Sequence, residues 1–315
     1  MKHTNGVQSS EEKETEDAKP LNTTSLVLTS LTAGAMAGAV AKTTIAPLDR
    51  TKINFQINQA PYSARQALKF LVKSYKREGF LSLWRGNSAT MARIIPYAAI
   101  QFTAHEQWKQ ILNVDQDKSV RTASWRRFVS GSLAGVTSQS LTYPLDMARA
   151  RMAVTQREQY SSLSHIFVRI WREEGPRTLY RGYCATVLGV IPYAGTSFYT
   201  YETLKSLHME YWGTSGTNPF EKLMFGAVAG LFGQTSSYPL DIVRRRMQTS
   251  SVANSQYQTV VGTLVKVYRD EGLRNGLFKG LSMNWIKGPV SVGISFSTFD
   301  TMQYYLRKAL MYTSS

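Results

Sequence analysis

Three copies of one short pattern fix what this chain can fold into: a proline, an acid two residues later, and a cation three beyond the acid. They are Pro47–Asp49–Lys52, Pro144–Asp146–Arg149 and Pro239–Asp241–Arg244, with the prolines 97 and 95 residues apart. Each copy is followed some thirty residues on by Glu-Gly and an aromatic–cation–Gly triplet. These are Glu78-Gly79 and Trp84-Arg85-Gly86, Glu174-Gly175 and Tyr180-Arg181-Gly182, and Glu271-Gly272 and Phe278-Lys279-Gly280. A fixed long period outranks any local reading. It divides the 315 residues into three related units, expected at 21–118, 119–215 and 216–315, behind a polar tail at 1–20.

Each unit holds two long stretches poor in charge. Ser25–Ala41, Phe128–Leu145, Gly182–Tyr201 and Leu223–Leu240 have no charged residue, and Gly86–His105 and Gly280–Phe299 carry one cation each. At close to bilayer-spanning length they predict six membrane helices, two per unit. The net charge of +16 falls largely between them, where anionic headgroups and an anionic solute account for it more simply than nucleic acid does. One cysteine, Cys184, excludes an internal disulfide, and the four histidines have no metal-ligand spacing. With no nucleophile elbow, phosphate loop or dinucleotide fingerprint, no enzyme and no metal or organic cofactor is expected. The acidic start of the chain is unlike a transit peptide.

The first span of each unit carries Gly-x-x-x-Gly: Gly34/Gly38, Gly131/Gly135 and Gly226/Gly230. Recurrence predicts close helix packing there. Each span then meets its proline, which removes a backbone hydrogen bond and bends the axis. One acid–cation pair three apart reads as a local pair. Three copies around a pseudo-threefold axis can instead pair between neighbours, as Asp49–Arg149, Asp146–Arg244 and Asp241–Lys52. Between the spans lie amphipathic stretches, with stripes such as Leu163, Ile166, Phe167, Ile170 and Trp171 suited to the membrane interface.

In the second spans, the residue seven beyond each triplet glycine is Arg93, Gly189 and Lys287. A bare cation near mid-bilayer costs roughly 2.5–3.5 kcal/mol. These positions lie several residues from the span ends, so a water-filled cavity that meets an anion explains them better than snorkelling. Lys42 is a third such cation. At the far ends a second acid–cation set recurs: Glu106/Lys109, Glu202/Lys205 and Asp300/Gln303, its last member without the cation.

The threefold motif with Glu-Gly and the triplets resembles the mitochondrial carrier family over about residues 25 to 308. The resemblance implies an all-α membrane protein, six transmembrane helices in a pseudo-threefold bundle of three helix–matrix helix–helix repeats, in the mitochondrial inner membrane. It implies a functional monomer with alternating access to one central site, and cardiolipin as a structural lipid near the triplets. A matrix gate would comprise Asp49, Lys52, Gln56, Asp146, Arg149, Asp241, Arg244 and Gln248. A cytoplasmic gate would pair Glu106 with Lys205 and Asp300 with Lys109, leaving Glu202 opposite Gln303. Substrate positions carry over to Lys42, Arg93, Gly189, Val190 and Lys287, with Tyr193 one turn beyond. The Gly–aliphatic pair resembles carriers of adenine nucleotides. Phe80–Met91, Thr142–Thr155, Val187–Gly195, Tyr201–His208 and Gly280–Trp285 resemble members that carry coenzyme A. This implies exchange of coenzyme A or dephospho-coenzyme A for adenine nucleotides or adenosine 3′,5′-diphosphate. An ADP/ATP or ATP-Mg/phosphate carrier is the alternative. Departures are Asn54 for the usual second cation, Ala153 for a bracing glutamine, His105 for an aromatic brace, and one extra residue before Phe278.

Overall fold

The computed structural model describes residues 23–58, 62–114, 120–213, 218–252 and 257–313; the tail expected at 1–20 lies outside them. Among the described residues there are helices and no strands. Six long helices, α1 (Thr23–Ile57), α3 (Asn87–Ile111), α4 (Val120–Val154), α6 (Tyr183–Trp212), α7 (Pro219–Thr249) and α9 (Leu281–Thr313), alternate with three short ones. The short ones are α2 (Ala64–Glu78), α5 (Leu163–Glu173) and α8 (Val260–Gly272), so the order long–short–long occurs three times. The chain forms two compact units, Lys42–Pro289 and a smaller one made of the segments up to Ala41 and from Val290 onward. In the larger unit α3 packs along α4 and α6 along α7.

Among the described residues, no helix is long and apolar enough to cross a membrane. The six spans expected from sequence are thus long helices of mixed polarity, and the absence of charge was a better guide than hydropathy. Their hydroxyl groups explain both facts. Ser132, Thr137, Ser138, Ser140 and Thr142 on α4 each donate to the carbonyl four residues earlier, at 2.7–3.0 Å. A serine satisfied by its own helix lowers mean hydropathy without leaving a free polar group.

The motif prolines do not end their helices: α1, α4 and α7 run ten residues past Pro47, Pro144 and Pro239. A proline at position i frees the carbonyl at i−4. For Pro47 that is the Thr43 oxygen, and the Trp84 indole N–H donates to it at 2.8 Å. The triplet aromatic therefore supplies the hydrogen bond that the kink removes.

The short helices α5 and α8 pack against the preceding repeat as well as their own. On α5, Ile166 and Ile170 are fully buried against Ala89 of α3 and Ala148 and Met152 of α4. Each such side chain contributes about 1.5–3 kcal/mol relative to exposure. The opposite edge stays open: Leu68 and Val72 on α2, Trp171 on α5 and Val261 on α8 are exposed. After α2 and α5 the chain makes a 3-10 turn, Phe80–Trp84 and Pro176–Tyr180. The third repeat has one residue more, and its turn at Leu273–Leu277 widens to a π-helix. There Phe278 N–H reaches the Leu273 carbonyl at 3.0 Å, so the insertion is absorbed within one turn.

The Gly-x-x-x-Gly expectation is corrected. Among the described residues, a Cβ at Gly38, Gly131, Gly135, Gly226 or Gly230 would meet nothing within 4 Å, and at Gly34 just the Phe299 ring at 3.9 Å. Gly131 and Gly135 line a cavity. Close backbone approach occurs instead at Gly233, where a Cβ would lie 2.8 Å from the Tyr193 carbonyl on α6.

Candidate functional site

The described residues that line the cavity all belong to the Lys42–Pro289 unit. At the proline ends of α1, α4 and α7 the three motif acids meet cations of the next repeat. Arg149 is bound to Asp49, Arg244 Nη2 is 2.6 Å from Asp146, and Lys52 Nζ is 3.1 Å from Asp241. These contacts join different helices in cyclic order. The local i,i+3 alternative is not the one adopted, because a helix face turned toward its neighbours offers the acid a better-aligned partner than its own turn does.

Each acid has further partners. Gln56 Nε2 donates to Asp241 at 3.1 Å and to the Tyr238 hydroxyl at 3.3 Å. Gln248 Nε2 donates to Asp146 at 2.8 Å and to the Tyr143 hydroxyl at 3.0 Å. Arg245, which the sequence reading did not place in the gate, reaches Asp146 at 3.2 Å and the side-chain Oε1 of Gln248 at 2.9 Å. Asp49 has no glutamine because Ala153 occupies that position. It binds a second cation instead, Lys287.

A second cyclic set lies just beyond. The triplet cations reach backbone carbonyls of the next repeat, at the end of its long helix or in the connection that follows. Arg85 donates to the Met152 carbonyl at 2.9 Å, Arg181 to Tyr257 at 3.1 Å, and Lys279 to Asn58. The triplet glycines make this approach possible. A Cβ at Gly86 would sit 3.0 Å from the Arg149 carbonyl, and one at Gly182 would sit 3.0 Å from that of Arg244. Both glycines have φ near +85°, strained for any side chain, at +88° and +85°.

Above the ring lies a cavity of about 770 Å³. Its floor is formed by Lys52, Asp241, Arg244 and Lys287, and its walls include Gly189, Val190, Tyr193, Tyr97, Gln139 and Asn284. Of the residues expected to meet substrate, Gly189, Val190, Tyr193 and Lys287 thus line it directly. Arg93 borders it, with its guanidinium 4.7 Å from the Tyr97 ring centre and Nη2 2.5 Å from Gln139. Arg93 also lies 3.6 Å from Asp146. Neither inward cation is therefore free. Lys42 is half-buried in the electrostatic field of Lys287, Asp49, Arg149 and Arg93. Tyr97 and Tyr193 each follow a helix proline, Pro96 and Pro192, and this shared offset could have revealed Tyr97 from sequence.

The far ends differ. Lys109 pairs with Glu106 of its own helix at 3.2 Å, and among the described residues Glu106 makes no ion pair with Lys205, the contact expected of this end when it is closed. Glu202 is exposed, and neither it nor Lys205 makes an ion pair among the described residues. In the smaller unit Asp300 is exposed and Gln303 donates to the Ser30 hydroxyl at 3.1 Å. The physical reason is exposure. Glu106 is 64 % open, and a neighbour one turn away on a solvated helix needs no second helix to approach.

The sequence pattern of the family described as "Mitochondrial carrier protein" matches residues 24–116, 121–212 and 215–310. The chain is 60% identical over 283 residues to a protein of Mus musculus named mitochondrial coenzyme A transporter SLC25A42, covering 90% of this chain and 89% of the relative. It is 56% identical over 312 residues to the Homo sapiens protein of that name, covering 96% and 98%. It is 40% identical over 295 residues to solute carrier family 25 member 16 of Bos taurus, covering 88% of each.

Proposed function

Because this chain belongs to the mitochondrial carrier family, and so is a multi-pass carrier of the inner mitochondrial membrane, we propose that it imports coenzyme A or dephospho-coenzyme A. The counter-substrate is an adenine nucleotide or adenosine 3′,5′-diphosphate, and transport is by alternating access. The observation that carries the reading is the 56–60% identity to proteins named coenzyme A transporters over at least 90% of the chain. The cavity supports it: a cationic floor suits phosphates, and Gly189 with Val190 leaves flat backbone beside Tyr193 for an adenine ring.

The ring suggests how binding acts on the gate. Arg149 and Lys287 share Asp49, and Arg244 and Arg93 share Asp146. A substrate phosphate that takes Lys287 or Arg93 removes one partner from a ring acid. The gate then opens only when the anion is present, which couples movement to binding. In the alternate state Glu106, Lys109, Glu202 and Lys205 would pair between helices and close the far end. Cardiolipin at the short helices completes the assembly, and one chain supplies all three repeats.

The test is exchange in liposomes loaded with ADP, ATP, coenzyme A or adenosine 3′,5′-diphosphate. Coenzyme A uptake should be the fastest, and Lys287→Ala and Arg93→Ala should each abolish it while the protein still inserts. Exchange of ADP for ATP with no coenzyme A uptake would replace this reading with an ADP/ATP carrier.

A further inference from the structure

Among the described residues, four cations line the cavity: Lys52, Arg127, Arg244 and Lys287. Three of them stand on the floor and each is held by a motif acid. Arg127 differs in both respects. It is exposed, and among the described residues its side chain has no ion pair or hydrogen bond. Its neighbour Arg126 turns the other way, donating to the Leu112 carbonyl at 3.3 Å at the end of α3. The two adjacent arginines thus have separate uses, and only Arg127 faces the open space.

Its height is set by α4. Arg127 and Gln139 both line the cavity, and the segment between them rises about 18 Å at 1.5 Å per residue. Gly131, Ser132 and Gly135 lie between, with no bulk to screen the guanidinium from the floor. The only carboxylate among the lining residues is Asp241, at the floor. An unneutralised cation at the mouth of a low-dielectric cleft raises the local concentration of anions entering it.

We propose that Arg127 is the first anion-capture point of the carrier, which engages a substrate phosphate at the rim before it descends to Lys287 and Arg93. The assignment rests on the substrate being a polyphosphate nucleotide. A rim contact is released before the gate moves, so it governs entry and leaves the turnover of the occupied carrier unchanged.

The experiment is initial-rate uptake of coenzyme A and of ADP into liposomes holding the full chain, at low and high salt. Arg127→Gln should raise KM about three- to tenfold at low salt, Arg127→Glu should raise it further, and Vmax should stay within about twofold. Arg127→Lys should behave as the parent does, and the differences should shrink as salt rises. To separate charge from folding, Arg127→Cys in a Cys184→Ala background is treated with aminoethyl or sulfonatoethyl thiosulfonate. The cationic adduct should restore KM and the anionic one should worsen it. Equal KM for both adducts, or a fall in Vmax at constant KM, would overturn the proposal. Were the parent to move ADP but not coenzyme A, the substrate reading would fail and the Arg127 effect would be read on ADP.

Discussion

The first repeat and the other two fasten their glutamates with arginines from different places. In repeats two and three the cation two residues after the ring cation does it. Arg151 makes two contacts with Glu174, the longer at 2.8 Å, and Arg246 contacts Glu271 at 2.5 and 2.8 Å. Their Nε groups cross to the next repeat, donating to the Gln248 and Gln56 carbonyls at 3.1 Å each. In repeat one that position is Asn54, which accepts a hydrogen bond from Asn58 at 2.7 Å. Arg50, one helical turn earlier, reaches Glu78 at 3.4 Å and sends its Nε to the Ala153 carbonyl at 3.2 Å. Positions four apart share a helix face, so a long side chain from either can reach the same acid. The lesson is that the structure conserves a destination for the guanidinium while letting its origin move.

The substitution is not equal in strength. Arg246 and Glu271 are both almost fully buried, and theirs is a forked pair, whereas Arg50 meets Glu78 through one longer contact. The largest expected effect is therefore from Arg246→Ala, which leaves the buried Glu271 carboxylate only its longer contact with Lys279 at 3.4 Å and should cost about 3–5 kcal/mol, read as a lowered unfolding temperature in detergent. Arg151→Ala should follow, since Glu174 is 22 % exposed and can hydrate. Arg50→Ala should cost less, about 1.5–3 kcal/mol. If Arg50→Ala proved the most damaging of the three, the equivalence of the latches would be wrong.

The comparison is sharpened by moving the origin back. Asn54→Arg added to Arg50→Ala places a cation at the register of Arg151 and Arg246, and it should recover at least half of the lost stability. No recovery would mean that Arg50 matters for its contact with the Ser82 carbonyl and not for Glu78.

The smallest effect concerns pH. Burial opposes the charge on Glu174, but the hydrogen bonds and charge of Arg151 outweigh it and hold the carboxyl below its ordinary 4.5. A depressed carboxyl stabilises the fold above pH 4.5, and that contribution fades as pH falls through the lower folded value. Glu174→Gln should therefore lower the unfolding temperature at pH 7 and make little difference at the acid end. An equal loss at both would show that Glu174 acts through packing.

Repetition alone determined a good deal about this protein. The three prolines, acids and cations were legible because each type appears at one offset three times, and the ring contacts join the residues that offset aligned. Arg93, Gly189 and Lys287 stood out by their shared offset, and the structure places Gly189 and Lys287 on the cavity with Arg93 against its lining residues Tyr97 and Gln139. What broke the repeat was readable only as a departure. Asn54, Ala153 and the extra residue before Phe278 marked places where something else must happen, without saying what. The tertiary structure decided that Arg50 serves for Asn54, that Lys287 stands on Asp49 where Ala153 offers no amide, and that a π-turn takes up the insertion. It also decided against the Gly-x-x-x-Gly pairs and for Gly233. The reason is the same in each case: a side chain's partner is set by which residues of other helices come within a few ångströms, and one linear pattern is compatible with several such neighbourhoods.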